Sequence, residues 1–277
     1  MALSLKGDSS TLKILIVPVS DLHTGSTVGM CPPRFLLDDG GVYTPSKAQR
    51  WQWSKWLEFW QEVAAVEADE KWLVLCGDAA DRNGRAQSVT SNKAMILRAA
   101  LDVLDPALQV TDTYFVIRGT EWHTGSSAWM EENIGEEIDA QKDDEACSWW
   151  YLRLETEGIR LDFSHHPATY SRRPWTRGAA PARQSAILAM EYARSGEQVP
   201  DVAVYGHVHG YDESGKAALP RVFFLPPWQL TTAFGYRIGA APRIEPPGGL
   251  LLTCEDGQYS VRDIRFKPQR RKVWTRK

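Results

Sequence analysis

The sequence predicts an α/β fold. Short apolar runs rich in β-branched residues recur along the chain, and stretches with a helical period of apolar residues separate them. The 277 residues include 43% hydrophobic and 24% charged residues, which is ordinary for a globular protein able to bury a large core. Because the sequence shows neither an internal repeat nor a clear linker, we expect a single domain over residues 1–277, with residues 267–277 forming a basic tail.

Each element is predicted from its local pattern. The runs expected to form strands are residues 12–20, 71–76, 113–117, 159–163, 201–205, 222–225, 250–254 and 258–266. The stretches expected to form helices are residues 46–68, 91–108 and 182–194. Residues 24–45 contain several glycines and prolines and are predicted to form a long loop. The acidic residues of segment 126–146 predict a solvated helix and loop.

The side chains that follow the predicted strands indicate a metal centre. All six histidines lie where a strand-like run gives way to polar or glycine-containing sequence, namely His23, His123, His165, His166, His207 and His209. Asp21, Asp78 and Glu121 occupy the same kind of position. Mixed carboxylate and imidazole ligands are typical of centres for divalent metal ions, and phosphate chemistry is the first reaction class to test.

Plainer explanations exist for several of these residues when each is taken alone. Asp21 can initiate a turn beside an incidental histidine, and Asp78 or Asp81 can cap a helix. In a metal centre, Asp81 is expected to orient a ligand imidazole from outside the ligand set. Arg118 either adds positive charge to the site or is an outward-facing charge at a strand end.

Basic residues follow the histidine pair at residues 165–166. Arg172, Arg173 and Arg177 are interleaved with Tyr170 and Trp175, a mixture that suits phosphate contact and base stacking. An arginine-rich surface loop is the alternative. The segment 262–277 is also strongly basic, although the net charge of the chain is −3, and it is either a contact for an anionic polymer or a solvated tail.

The cysteines and the N-terminus bear on the compartment. The four cysteines are far apart and form no C-x-x-C pair, so the sequence predicts neither a thiolate metal site nor a disulfide framework. Residues 1–13 lack the apolar core of a signal peptide, and no apolar run is long enough to span a bilayer. We therefore expect a cytoplasmic protein without a membrane partner.

In chain order, five motifs resemble the ordered motifs of the calcineurin-like metallophosphoesterases. They are Asp21-Leu22-His23, Gly77-Asp78-Ala79-Ala80-Asp81, Gly119-Thr120-Glu121-Trp122-His123, His165-His166 and Gly206-His207-Val208-His209. The match extends over residues 12–210. The resemblance implies a two-sheet β-sandwich of mixed strands flanked by helices, with a dinuclear metal site at the carboxyl ends of strands.

The resemblance also implies a ligand set. One metal ion would be held by Asp21, His23 and His209, the other by His165 and His207, with Asp78 bridging the two. His165 is favoured over His166 as a ligand because it comes first after the strand, so His166 is expected beside the ligands rather than among them. The expected ion is Mn²⁺, and the same ligands also accept Fe, Zn, Co and Ni.

The third motif departs from the family pattern, which has Gly-Asn-His followed by Asp or Glu. The asparagine that ligates the second metal in the family is missing. Either Glu121 replaces it as an anionic ligand and His123 keeps the role of general acid, or His123 is the ligand and no general acid exists. The Gly-Thr-Glu-x-His form is similar to that of phosphoesterases carried by phages and prophages.

The resulting hypothesis is a phosphoesterase that hydrolyses phosphodiester bonds, in nucleic acid or nucleotides. The implied mechanism is in-line attack by a hydroxide that bridges two divalent metal ions. Arg118 would stabilise charge in the transition state, and His123 would protonate the leaving oxygen. The alternatives are a phosphomonoesterase acting on a protein or small molecule and a scaffold of the same fold without turnover. The sequence identifies no protein partner.

Overall fold

The computed structural model describes residues 11–82, 87–170, 176, 178–237 and 245–268. Its strands are β1 (Ile14–Val19), β2 (Phe35–Leu36), β3 (Val42–Tyr43), β4 (Glu70–Cys76), β5 (Thr113–Ile117), β6 (Leu152–Thr156), β7 (Ile159–Ser164), β8 (Val202–Tyr205), β9 (Asp212–Glu213), β10 (Arg221–Phe224), β11 (Gly248–Glu255) and β12 (Gln258–Arg265). Its α-helices are α1 (Lys47–Ala64), α2 (Lys93–Leu108), α3 (Glu121–Thr124), α4 (Trp129–Glu137), α5 (Ala179–Ser195) and α6 (Ala233–Arg237), and Ser126–Ala128 forms a 3₁₀ turn.

The strands form two mixed sheets. The first has the order β12-β11-β1-β4-β5 and the second has the order β6-β7-β8-β10-β9. In the first sheet β1, β4 and β5 are parallel, and in the second β7, β8 and β10 are parallel. Antiparallel strands β11 and β12 extend the first sheet on the β1 side, and antiparallel strands β6 and β9 lie at the two edges of the second. Strands β2 and β3 pair separately as a small hairpin.

Alternating side chains of each sheet enter two different cores. Ile14 and Ile16 of β1 belong to the apolar cluster between the sheets, whereas Leu15 and Val17 pack with the helices that cover the first sheet. Both faces of this strand are buried, which explains its continuous apolar sequence. Helix α5 covers the outer face of the second sheet. The layers are helix, sheet, sheet and helix, as the predicted fold class requires.

Two predicted segments differ from the structure. Residues 24–45 contain the β2–β3 hairpin, which the prediction of a loop missed because strands of two residues leave no detectable alternation. Helix α4 lies within the acidic segment 126–146, and the expectation that this segment is solvated is wrong for Glu131, which is 0% exposed. Met130 and Ile134 of the same helix pack in the core, and their packing carries Glu131 inwards.

Helix α1 begins where its sequence predicts. Ser46 accepts a hydrogen bond from the backbone N–H of Gln49, and the Gln49 side chain accepts one from the backbone N–H of Ser46, which forms a complete capping box. In the part of the chain that the structure describes, no helix has both the length and the apolar composition needed to cross a bilayer. Of the predicted basic tail, residues 269–277 lie outside the described residues.

Candidate metal centre

The centre forms where parallel strands of both sheets end. Asp21 follows β1, Asp78 follows β4, His165 follows β7 and His207 follows β8. Donors that leave these strands adopt left-handed backbone conformations, with φ of 56° at Asp21, 47° at His23, 51° at Asp78, 65° at His207 and 51° at His209. Such conformations are uncommon outside glycine and cluster at functional sites. They turn the chain sharply at the strand ends, where donors that follow strands of both sheets come into contact.

Asp21, His23 and His209 form the first group of donors. Oδ1 of Asp21 lies 3.1 Å from Nε2 of His209 and 3.7 Å from Nε2 of His23. The two imidazole nitrogens are 3.2 Å apart. The second oxygen of Asp21 is held by the Ser20 hydroxyl at 2.7 Å and by the backbone N–H of His207 at 3.1 Å. One oxygen of Asp21 is therefore fixed by the protein, and the other faces two imidazoles.

His165, His166 and His207 form the second group, in which the donor atoms lie within 4.8 Å of one another. Nδ1 of His165 is 2.7 Å from the carbonyl oxygen of Cys76. A carbonyl only accepts hydrogen bonds, so Nδ1 carries a proton, and Nε2 is the nitrogen that lies near Asp78 and Thr120. Neighbouring partners of this kind orient ligand histidines in metal sites.

Asp78 lies between the two groups. Its Oδ2 is 3.1 Å from Nε2 of His165 and 3.8 Å from Nε2 of His23. Its Oδ1 accepts a hydrogen bond of 2.6 Å from the backbone N–H of Thr120. This approach needs Gly119, because a Cβ there would lie 2.3 Å from Oδ1 of Asp78. The carboxylate is thus placed to be shared by both groups.

The buried groups of the centre shift one another's pKa values. Burial would raise the pKa of Asp21, but His209 and His23 hold that pKa well below its ordinary value. Burial would lower the pKa of His165, whereas Asp78 and Asp21 raise it to about 9. Burial, together with His165 and His207, lowers the pKa of His166 to about 4. His166 is therefore neutral at pH 7, as a metal ligand must be.

The donors fit a pair of divalent cations. Among the described residues, Oδ1 of Asp21 is buried without a hydrogen-bond partner, although Nε2 of His209 and Nε2 of His23 lie close by. Buried polar groups in proteins are normally satisfied, so an unpaired carboxylate oxygen beside two imidazoles requires an explanation. A shared cation provides one, since carboxylate and imidazole groups are ligands for divalent metals and the groups are mutually within reach.

His123 lies at the edge of the first group. Its ring packs edge-on against His23 with the centroids 4.5 Å apart, and its Nδ1 is 3.4 Å from Oδ1 of Asp81. Burial opposes charge on this imidazole, but Asp81 and Asp78 outweigh it and raise the pKa of His123. Asp81 also lies 4.0 Å from Nδ1 of His23. A carboxylate in this position favours the protonated form of His123, which can donate a proton.

Comparison with solved structures finds proteins that share much of this chain's length at low identity. Vps29 from Chaetomium thermophilum is 11% identical, covers 91% of this chain and 97% of its own, and has a TM-score of 0.44. A dimetal phosphatase from Danio rerio is 9% identical, covers 92% of this chain and 99% of its own, and also has a TM-score of 0.44. No protein-family model matches the chain. No curated protein matches it either.

Several predicted site residues are brought together by the fold. Asp21, His23, Asp78, His165, His207 and His209 all enter groups of potential metal donors, as do His123 and His166. His166 was predicted to lie beside the ligands, whereas in the structure it belongs to a donor group with His165 and His207. Asp81, which was predicted to orient a ligand imidazole, lies 4.0 Å from Nδ1 of His23 and 3.4 Å from Nδ1 of His123.

Other predicted residues are not brought to the donors. Glu121 is exposed on α3 and belongs to none of the donor groups found among the described residues, so the geometry does not support its expected role as a ligand. Arg118 forms an ion pair of 2.9 Å with Glu132 and a hydrogen bond with Ser148. The side chain is only 18% exposed, so it does not face outwards as the alternative to a role in the site had it. Arg172, Arg173 and Arg177 lie outside the described residues.

Two residues of this region were not among the predicted site residues. Thr120 places its hydroxyl among the donors of the second group, and Glu131 lies buried close to Gly119. The signal for Thr120 was its position directly after Gly119, where the family pattern has the missing asparagine. Glu131 gave no such signal, because it lies within a run of acidic residues.

Proposed function

We propose that this protein is a phosphoesterase of the calcineurin-like type that depends on two divalent metal ions. The observation that carries this proposal is the position of Asp78. Its Oδ2 lies within 3.8 Å of a nitrogen of the first donor group and 3.1 Å of a nitrogen of the second. A carboxylate shared by two sets of ligands is the arrangement expected of a two-metal hydrolytic centre.

The residues around the ions have separable tasks. Ions bound here would activate water as a nucleophile and polarise a phosphoryl group. Ser20 and the backbone N–H of His207 keep Asp21 in place, and the carbonyl of Cys76 fixes the ring of His165. His123, kept protonated by Asp81, would donate a proton to the leaving oxygen.

Replacing Asp78 with asparagine tests the proposal. We expect Asp78→Asn to abolish metal-dependent hydrolysis and to reduce the number of ions bound per chain. Asp256→Asn is the matched control, since Asp256 also has a left-handed backbone, with φ of 48°, but lies exposed in the β11–β12 turn. Full activity of Asp78→Asn, or no metal-dependent hydrolysis by the unaltered protein, would end the proposal.

We further propose that the substrate is a phosphodiester carrying an aromatic base, as in nucleic acid or nucleotides. Tyr170 supports this choice because its ring is 58% exposed and lies edge-on to His207, with the centroids 6.1 Å apart. Trp122, next to His123, is 51% exposed. Exposed aromatic rings beside a phosphate site favour substrates with bases that can stack.

A comparison of two chromogenic substrates distinguishes a diesterase from a monoesterase. With Mn²⁺ or another divalent ion, we expect faster hydrolysis of bis-p-nitrophenyl phosphate than of p-nitrophenyl phosphate. A preference for the monoester would overturn the proposed diester specificity while leaving the metal-dependent hydrolase in place. In that case a phosphatase becomes the function that the centre supports.

A further inference from the structure

The second donor group differs in composition from the one that the sequence motifs imply. Three imidazoles lie together there, because His166 joins His165 and His207. The ring centroids of His166 and His207 are 4.5 Å apart, and those of His165 and His166 are 4.6 Å apart. The backbone of residues 165–166 thus directs two consecutive side chains to one place, which a regular strand cannot do.

The hydroxyl of Thr120 lies among these rings. Its Oγ1 is 3.2 Å from Nε2 of His166, 3.3 Å from Nδ1 of His207, 3.4 Å from Nε2 of His165 and 3.2 Å from Oδ2 of Asp78. The four distances are nearly equal. Ligand atoms bound at about 2.0–2.1 Å to one ion lie about 2.9–3.4 Å apart at tetrahedral or octahedral angles. The distance from Oγ1 to each of these four atoms therefore matches that between neighbouring ligands around a single cation.

Hydrogen bonds alone do not account for this arrangement. A threonine hydroxyl has one proton to donate and two lone pairs that accept, so at most three of the four contacts can be hydrogen bonds. At least one neighbouring atom is therefore left without a hydrogen bond to Oγ1, and a cation shared by these atoms would satisfy it.

We propose that His166 and the hydroxyl of Thr120 complete the second metal site, together with His165, His207 and Asp78. This inference rests on the two-metal centre proposed above and specifies one of its sites. Three imidazoles and one carboxylate form a nitrogen-rich set of ligands. Such a set suits Zn²⁺, Fe²⁺ or Co²⁺, whereas Mn²⁺ and Mg²⁺ prefer oxygen-rich sets. The second site therefore selects a borderline ion, in contrast to the Mn²⁺ expected from the sequence.

Metal binding measured without any substrate tests this assignment. Chelator-treated protein is dialysed against Zn²⁺ or Mn²⁺ over a range of free concentrations, and bound metal is counted by mass spectrometry. For His166→Asn we expect the second Zn²⁺ to bind at least tenfold more weakly while the first is retained. The preference for Zn²⁺ over Mn²⁺ at the second site should shrink by a similar factor. Thr120→Val, which keeps the shape of the side chain, should weaken the same ion, and Thr120→Ser should restore it.

Control variants and measurements distinguish a failure of this ligand assignment from a failure of the proposed function. Glu121→Gln alters an exposed donor close in sequence, and we expect two ions bound with unchanged affinity. His166 is exposed, so its replacement should leave the far-ultraviolet circular dichroism unchanged. Unchanged binding and selectivity in His166→Asn would overturn the inference even if the protein hydrolyses diesters. Two bound ions that respond as expected, without hydrolysis of any phosphoester, would instead refute only the proposed function.

Discussion

Replacing Glu131 with glutamine should change how the stability of the metal-free protein depends on pH. Neither carboxylate oxygen of Glu131 has a hydrogen-bond partner among the described residues, and the side chain is fully buried. Oε1 would lie 3.0 Å from a Cβ placed on Gly119, the residue that packs against Asp78. Burial, followed by the negative charge of Asp78, raises the pKa of Glu131 from 4.5 to about 8.

The sign follows from proton binding in the two states. Between pH 4.5 and about 8, the native protein keeps the proton on Glu131, whereas the unfolded chain has lost it. The native state then binds more protons, so the free energy of unfolding falls as pH rises through this window. The two pKa values differ by about 3.5, and at about 1.4 kcal/mol for each pKa unit the full loss is about 5 kcal/mol.

Glu131→Gln removes this titration and leaves a neutral side chain of similar shape. Urea unfolding followed by tryptophan fluorescence at pH 5 to 8.5, in the presence of chelator, measures the difference in unfolding free energy between variant and parent. The difference should shift in favour of the variant by several kcal/mol as pH rises. Glu136→Gln, an exposed change on the same helix, should show a flat difference. Parallel stability curves for Glu131→Gln and the parent would refute the assignment of a buried proton to Glu131.

Two further predictions concern residues at the edge of the centre. His123→Asn should lower kcat by about 10²- to 10⁴-fold, the usual contribution of a general acid, while two ions remain bound; loss of an ion would identify His123 as a ligand instead. Tyr170→Ala should lower kcat/KM for the p-nitrophenyl ester of thymidine 5′-phosphate by about 5- to 100-fold, as expected for loss of a stacked base. Tyr170→Phe should keep that activity, and methyl p-nitrophenyl phosphate, which lacks a base, should be hydrolysed equally by all three proteins. Equal losses with both substrates would contradict base stacking.

Continuous apolar runs made the parallel strands of the first sheet predictable. Strand β5 has the predicted bounds, and β1 lies within the predicted residues 12–20. Both faces of these strands are buried, so nearly every position is apolar and the signal is strong. The pairing of strands into two sheets came only from the resemblance, because periodicity carries no information about which strands are neighbours.

The histidine donors were predictable because the chain has only six histidines and all of them follow predicted strands. Which residue of a motif enters the site was harder to predict. Glu121 has the better ligand chemistry, yet α3 begins at this residue and leaves its side chain exposed. Thr120 precedes the helix with an extended backbone, and its side chain enters the centre. The first residue of α3 therefore decides whether Thr120 or Glu121 enters the centre. The sequence pattern does not determine that starting position to within one residue.

Backbone strain links the site to the layers beneath it. Five donors hold left-handed conformations that cost about 1–3 kcal/mol each in residues other than glycine. Glycine would relieve the strain at any of these positions but would remove a carboxylate or an imidazole. The strain persists because each turn follows a strand fixed on both faces by buried apolar side chains, so the chain cannot relax without disturbing a core. The two sheets therefore do more than position the donors, since their packing is what makes such costly turns tolerable at the point where the metal-binding side chains meet.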